Sequence, residues 1–321
     1  MKNIKIKFIA VPFLISIICA LLYLFYHNNH DYTSTFFSLD TVVSMRMSDD
    51  CIKQTKDKIS EYNNLYDVYS ENSQIHKLNL QKELLCSDEL TDIVKKTTDF
   101  NELYGNNTDI SSGNLNILWH STMHSKILPD NNDIEEALQN ISYKNISVSG
   151  NIITLKNGIS IDLGSVAKGY ILDELLPIYQ DKNMDYSIVS MGSSTLLYSN
   201  DKNHIFNVAV KSSSDSVIGT VHTKSCFVST SGDYERYTEI NNIKYHHIID
   251  LKTGFPADSG LSSVTVFADN GLLTDFLSTS IFVDGKENIE KHLSADNYKV
   301  IATDKDGNVF KSESLDFQKL K

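Results

Sequence analysis

The chain has 321 residues, with 29 Lys and Arg against 41 Asp and Glu, a formal net charge of −12 and 41% hydrophobic residues. That apolar content over that length suits a globular body with a core of its own. The acidic balance, with no basic run or cluster, argues against nucleic acid as a partner.

Lys2, Lys5 and Lys7 precede an uncharged run from Phe8 to Tyr26, long enough to cross a bilayer as a helix. Only His27 to Asp31 follow closely, so the positive-inside bias puts the N-terminus in the cytoplasm and the rest outside. Ile18 stands before Cys19 where a signal or lipoprotein peptidase wants a small residue. The expectation is an uncleaved, single-pass anchor over residues 1–30 and one extracytoplasmic domain over residues 31–321, with a lipid on Cys19 as the alternative. Cys51, Cys86 and Cys226 lie outside the membrane, so at least one stays unpaired, and no CxxC spacing argues for zinc.

Ile52, Ile59, Tyr62, Leu65 and Tyr66 fall on one helical stripe over 52–69, and Leu90, Ile93, Val94, Thr97, Phe100 and Leu103 on another over 88–104. Ser87 would cap the second of these, and Asn132 a short third helix over 134–139. From Ile146 the period changes to a hairpin turned at Gly150-Asn151, followed by a strand over 159–163. Further strands are predicted over 186–190, 205–211, 217–222, 226–230, 244–249, 262–268, 299–303 and 308–311. Helices are predicted over 165–179, 272–283 and 286–293. The order implies an α+β fold with mixed or antiparallel sheets packed against helices, without internal repeats.

Three segments carry chemistry. Gly164-Ser165-Val166-Ala167-Lys168-Gly169 would end the 159–163 strand and start a helix on small residues, which exposes backbone N–H groups to an anion. Ser229 to Arg236 and His246 to Gly254 look built for the same phosphate-bearing ligand. Lys168 opposes the dipole of its own helix, a placement that makes sense in contact with an anion and is otherwise a solvated lysine. Asp162 either caps the turn after it or accepts hydrogen bonds from a ribose or flavin ring. Asp275 and Thr279 lie four apart on one helix, so both oxygens share a face that a hard cation such as magnesium can use, with one more oxygen from the Ser165 turn. The plainer alternative is a dipole-stabilising Asp275 and a Thr279 bonded to an i−4 carbonyl. On a strand His246 and His247 point to opposite faces, and alternation does not say which of them works.

Ser165-Val166-Ala167-Lys168 fits S-x-x-K and Lys252-Thr253-Gly254 fits K-T-G, patterns of penicillin-binding enzymes. The interval between them is strand-rich, whereas acyl transfer on that scaffold needs a helical domain after the nucleophile.

In their order and spacing, Asp162-Leu163-Gly164 through Lys168-Gly169-Tyr170, Thr230 to Tyr234, His247 to Asp250 with Thr253-Gly254, and Asp275 with Thr279 resemble the FAD:protein FMN transferase, or ApbE, family. Asp40-Thr41, Tyr69 to Asn79 and Asn107 to Trp119 agree as well. The resemblance implies an ApbE-like flavin transferase fold and a magnesium-dependent enzyme. Its activity would be to move the FMN part of FAD to a threonine or serine of an exported or membrane redox protein, releasing AMP. It implies a metal held by Ser165, Asp275 and Thr279, and flavin-nucleotide positions at Leu39, Tyr69, Asn107, Thr108, Asp109, Asp162, Lys168 and Ile249. His247 matches the histidine that assists proton transfer. The sequence departs from the pattern at Ser190 to Ser193, where a double glycine is usual, and at Leu251, which replaces a proline. The rival readings are a magnesium-dependent FAD pyrophosphatase and a flavin-storage protein without turnover.

Overall fold

A computed structural model of the chain describes residues 31–212 and 216–320, and the expected membrane segment lies outside the described residues. Among the described residues no helix is long and apolar enough to cross a membrane.

The frame is an eight-stranded sheet of β1 (Tyr32–Ser38), β2 (Thr41–Met47), β3 (Tyr186–Met191), β4 (Ser194–Ser199), β5 (Cys226–Gly232), β6 (Leu261–Ala268), β7 (Lys299–Asp304) and β8 (Val309–Lys311). These strands lie side by side in chain order, and every adjacent pair is antiparallel. Between β2 and β3 the chain forms α1 (Ile52–Tyr66), α2 (Gln74–Gln81), α3 (Asp88–Tyr104), α4 (Gly113–Ser125), α5 (Asn131–Leu138) and α6 (Ala167–Asp181). Between β6 and β7 it forms α7 (Gly271–Asp284) and α8 (Ile289–Leu293).

Alternation along the central strands feeds two different cores. Leu196, Phe227, Val266 and Val300 join the main core beneath the helices. Their neighbours Leu197, Val228, Phe267 and Ile301 pack on the opposite side with Phe206, Val210 and Val221 of a small sheet formed by Phe206–Lys211, Val217–Thr223 and Asp316–Lys319. All of β6 is therefore buried. A third cluster of Leu115, Trp119, Ile134 and Ile249 joins α4 and α5 to the loop after the hairpin Tyr237–Ile240/Ile243–His246.

Several expectations need correction. The segment 159–163 is extended but forms no strand apart from one bridge between Ser160 and Ser112. Side chains take part of its hydrogen bonding and the backbone before α4 the rest: Asn79 receives Ile161 N–H at 2.7 Å and donates to Ile161 C=O at 2.8 Å, Lys82 Nζ donates to Ile159 C=O at 2.8 Å, and Asp162 N–H donates to Ile110 C=O at 2.9 Å. The strand expected over 244–249 ends at His246, since the next residues turn so that Ile249 bridges Pro256. The cap of the third predicted helix is Asp130, which accepts from Asn132 N–H at 2.9 Å. Helices α2 and α4, the β1–β2 hairpin and β4 were not expected. All three cysteines in the described residues are free, with Cys51 and Cys86 buried.

Candidate active site

The site is assembled where α6 and α7 cross. A Cβ on Gly169 would lie 2.0 Å from the Gly271 carbonyl oxygen, and one on Gly271 would lie 2.4 Å from that of Gly169, so only glycine at both positions lets the two backbones touch. The crossing is locked by exchanged caps. Asp173 of α6 accepts the Gly271 and Leu272 N–H groups at 2.6 and 2.8 Å, and Asp275 Oδ2 of α7 accepts Gly169 N–H at 2.6 Å. Gly169 N–H is one of the donors that the first turn of α6 leaves without an intrahelical partner, and α7 supplies the acceptor. Burial raises the Asp173 carboxyl to about 6 against the opposing pull of its two N–H donors.

Asp275 is buried, and its Oδ1 accepts the Ser194 hydroxyl at 2.6 Å. Thr279, one turn on, is the half-exposed position in an otherwise buried stretch of α7 from Gly271 to Ser280. Hydroxyls join β5 to this face: Ser229 pairs with Thr274 at 2.9 Å, and Ser231 with Ser278 at 2.9 Å and Thr279 at 3.1 Å. Each Asp275 oxygen holds one hydrogen bond and keeps lone-pair capacity. The carboxylate of Asp275 and the hydroxyl of Thr279 are oxygen donors one turn apart on α7, which suits a hard cation and no soft one. Among the described residues no group of three or more His, Cys, Asp or Glu is placed to hold a metal, so such a site rests on one carboxylate with hydroxyl and carbonyl partners.

The two histidines separate cleanly. His246 is buried edge-on against Phe282, its Nε2 donating to the Ala257 carbonyl at 3.1 Å and its Nδ1 accepting Ile248 N–H at 3.3 Å, so both ring nitrogens serve the fold. His247 Nδ1 lies 3.2 Å from the Arg236 carbonyl, which only accepts, so Nδ1 carries the proton and Nε2 keeps its lone pair. Burial first, then the Arg236 and Lys168 charges, push the His247 imidazolium down to about 3. The Arg236 guanidinium in turn donates to Asp40 C=O at 3.0 Å, tying the β1–β2 turn to this histidine. Leu39 and Asp40 make that turn with φ of 51° and 52°, held by a hydrogen bond from Leu39 N–H to Asn63.

The other expected nucleotide positions divide. Lys168 reaches the Gly164 carbonyl at 3.5 Å, and its charge is felt by both His247 and Glu235. Asp162 Oδ1 accepts Gly164 N–H at 2.6 Å, the turn-capping role, and its charge reaches Tyr69 and His120. Asn107 donates to Asp284 at the end of α7 at 3.1 Å. Thr108, Asp109 and Ile249 are buried. Both Asp109 oxygens are spent on the backbone N–H groups of Ser111 and Tyr143, at 2.9 and 2.7 Å, and Ile249 packs in the Trp119 cluster. Glu235, in a segment the sequence singles out without giving this residue a role, lies within electrostatic reach of Lys168 and Arg236, which oppose the rise that desolvation gives its carboxyl.

The ApbE family model matches the sequence over residues 39–302. The chain belongs to the ApbE family. It is 28% identical over 190 residues to a protein named FAD:protein FMN transferase in Treponema pallidum (strain Nichols), covering 53% of this chain and 52% of that one. Identity is also 28% over 185 residues to the protein of the same name in Klebsiella pneumoniae (strain 342), covering 56% and 57%. The chain thus spans little more than half the length of these two relatives. The crystal structure of the ApbE protein from Thermotoga maritima, 29% identical, superposes with a TM-score of 0.82 over 89% of this chain and 98% of that one. The architecture is accordingly the mixed α+β fold of ApbE proteins.

Proposed function

We propose that this chain transfers the FMN part of FAD to a serine or threonine hydroxyl of an exported or membrane redox protein, with AMP as the leaving group. Family membership and the names of its relatives support the chemistry. The observation that carries it is His247, whose Nδ1–H is committed to the Arg236 carbonyl beside Lys168, leaving Nε2 as the base. An acceptor hydroxyl attacks the FMN phosphorus, forming the new P–O bond as the bond to the AMP phosphate breaks, and His247 Nε2 takes the hydroxyl proton. Lys168 meets the negative charge of the pyrophosphate, and the positive end of the α6 dipole adds to its field. Asp275, Thr279 and the Ser165 carbonyl would hold magnesium, which supplies charge neutralisation at the pyrophosphate. An anchor over residues 1–30 would keep this chemistry on the extracytoplasmic side, where such acceptors are found.

The test is to mix the chain with FAD, magnesium and a candidate exported redox protein. Flavin fluorescence that stays with the acceptor after denaturation, with stoichiometric AMP, is the expected result. AMP and free FMN without a labelled acceptor would replace this reading by a pyrophosphatase, and FAD bound without AMP by a storage protein.

A further inference from the structure

The hydroxyls between β5 and α7 have a direction. Ser278 Oγ lies 3.0 Å from the Asp275 carbonyl, which only accepts, so the single Ser278 hydrogen is spent there. The contact of Ser278 with Ser231 at 2.9 Å is therefore filled by the Ser231 hydrogen. With that hydrogen spent in turn, the contact of Ser231 with Thr279 at 3.1 Å is filled by the hydrogen of Thr279. Three bonds and three hydrogens leave one arrangement, from Thr279 to Ser231 to Ser278 to the carbonyl. Ser231 and Ser278 are both buried, and in such surroundings each donation polarises the next. Thr279 stands half-exposed at the head of the relay. Its hydrogen is held inside, and its lone pairs are left for a ligand on its open side. A cation needs such an oxygen, because an outward O–H would turn its positive end toward the ion. The neighbouring hydroxyl pair ends differently: Thr274 donates to the Gly271 carbonyl at 2.7 Å, so Ser229 donates to Thr274 at 2.9 Å, and both residues are buried.

We propose that Ser231 and Ser278 are positioning residues for a divalent cation, which fix the Thr279 hydroxyl as an acceptor so that its oxygen can ligate the ion beside Asp275. This rests on the magnesium reading above and extends it to two residues that touch no ion themselves.

Mn2+, a hard cation with a strong EPR signal, is titrated into the full chain with AMP present, since AMP offers phosphate oxygens and is not turned over. Bound Mn2+ is read from the loss of the free-ion signal, and unfolding midpoints are measured in parallel. Ser231→Ala is expected to weaken Mn2+ binding about tenfold. Ser278→Ala, which frees Ser231 to point its hydrogen at Thr279, should weaken it as well. Ser229→Ala removes a similar hydroxyl from the same strand and should lose comparable stability at wild-type Mn2+ affinity. Wild-type affinity in Ser231→Ala, or an equal loss in Ser229→Ala, overturns the relay. Should Ser231→Ala fail to fold, Ser278→Ala decides, and unchanged affinity there overturns it too. Thr279→Val judges the underlying reading: if it binds Mn2+ like wild type, Thr279 is no ligand and the relay falls with it. If Thr279→Val weakens binding and neither serine variant does, the ion keeps its ligand and the relay alone is wrong. A wild-type chain that binds no Mn2+ defeats both.

Discussion

Asp173 and Asp275 each cap the helix on which the other resides. Asp173 closes the start of α7 through Gly271 and Leu272, and Asp275 takes the Gly169 N–H at the start of α6. Each carboxylate meets the positive end of its neighbour's dipole, and the Gly169–Gly271 contact keeps the two ends together. The carboxylate expected to bind the metal is thus also a structural clasp.

Asp173→Ala should cost roughly 1–2 kcal/mol of stability, the usual value of a lost cap, read by denaturant unfolding at neutral pH. The pH dependence gives a sharper test. Folding raises this carboxyl to about 6 from an ordinary value near 3.8. Between those values the folded chain keeps a proton that the unfolded chain has released, so stability from this group is full below about pH 4 and declines as pH rises to about 6. Asp173→Asn should flatten that decline. An unchanged slope between pH 4 and 6.5 would show that another group sets it.

Gly169→Ala puts a methyl carbon 2.0 Å from a backbone oxygen that cannot rotate away, so α6 and α7 must separate. Overpacking of this kind costs about 1–3 kcal/mol or more, and the displacement also moves Gly169 N–H off Asp275. Thermal unfolding should show a clear loss, and FAD turnover should fall further than stability alone explains. A fully active, equally stable Gly169→Ala protein would contradict the close crossing.

Much of this arrangement was legible in the sequence. The span of α3 matches its periodic stripe, capped by Ser87 as expected, and Asp275 and Thr279, four apart, do lie on one helix. What escaped depends on partners distant in the chain. The 159–163 segment has strand-like residues, but instead of a neighbouring strand it meets the side chains of Asn79 and Lys82 and the backbone of Ile110 and Gly113, all distant in the chain. The β1–β2 hairpin turns on Leu39-Asp40, two non-glycine residues at positive φ, so no Asn-Gly or Asp-Gly signal marks it. Alternation did not choose between the histidines, because the strand ends at His246 and the choice is made by Phe282 and Arg236.

That choice predicts opposite phenotypes for neighbouring substitutions. His246→Ala removes a buried ring and two hydrogen bonds and should cost roughly 1–3 kcal/mol of stability. His247→Ala removes one ring hydrogen bond and should cost less stability than His246→Ala, about 0.5–1.5 kcal/mol. It should slow FMN transfer by about 10²-fold or more, the usual share of a general base. Parallel unfolding and transfer assays on the two variants settle it; equal transfer rates in His247→Ala and wild type would remove it from the mechanism.

An imidazole with an ordinary value near 6.5 would lose its base form in mild acid. His247 is held down to about 3 by burial and by the Arg236 and Lys168 charges. The free protein should therefore keep a neutral His247 well below pH 6, and kcat/KM for FAD, which reports free-enzyme ionisations, should show no histidine limb between pH 5 and 7. The unfolded chain takes up that proton first as pH falls, so this residue makes the fold less stable from about pH 6.5 down toward 3. A kcat/KM profile with an acid limb near 6.5 would place the working imidazole in a more exposed setting.

Asp275→Asn separates the two duties of the clasp. The amide keeps the shape, and its carbonyl oxygen can still accept Gly169 N–H, but the NH2 group then faces the Ser194 hydroxyl and the negative charge is gone. Stability should fall by roughly 1–3 kcal/mol for the weakened charge-assisted bonds. AMP release should drop by about 10²-fold or more even at high magnesium, because the remaining hydroxyl and carbonyl ligands carry no charge to hold the ion. FAD binding, followed by fluorescence, should persist, since Lys168 bonds the Gly164 carbonyl and does not depend on this carboxylate. If Asp275→Asn kept wild-type AMP release while losing stability, Asp275 would be a clasp alone, and the metal would have to be sought among other oxygens of the cleft.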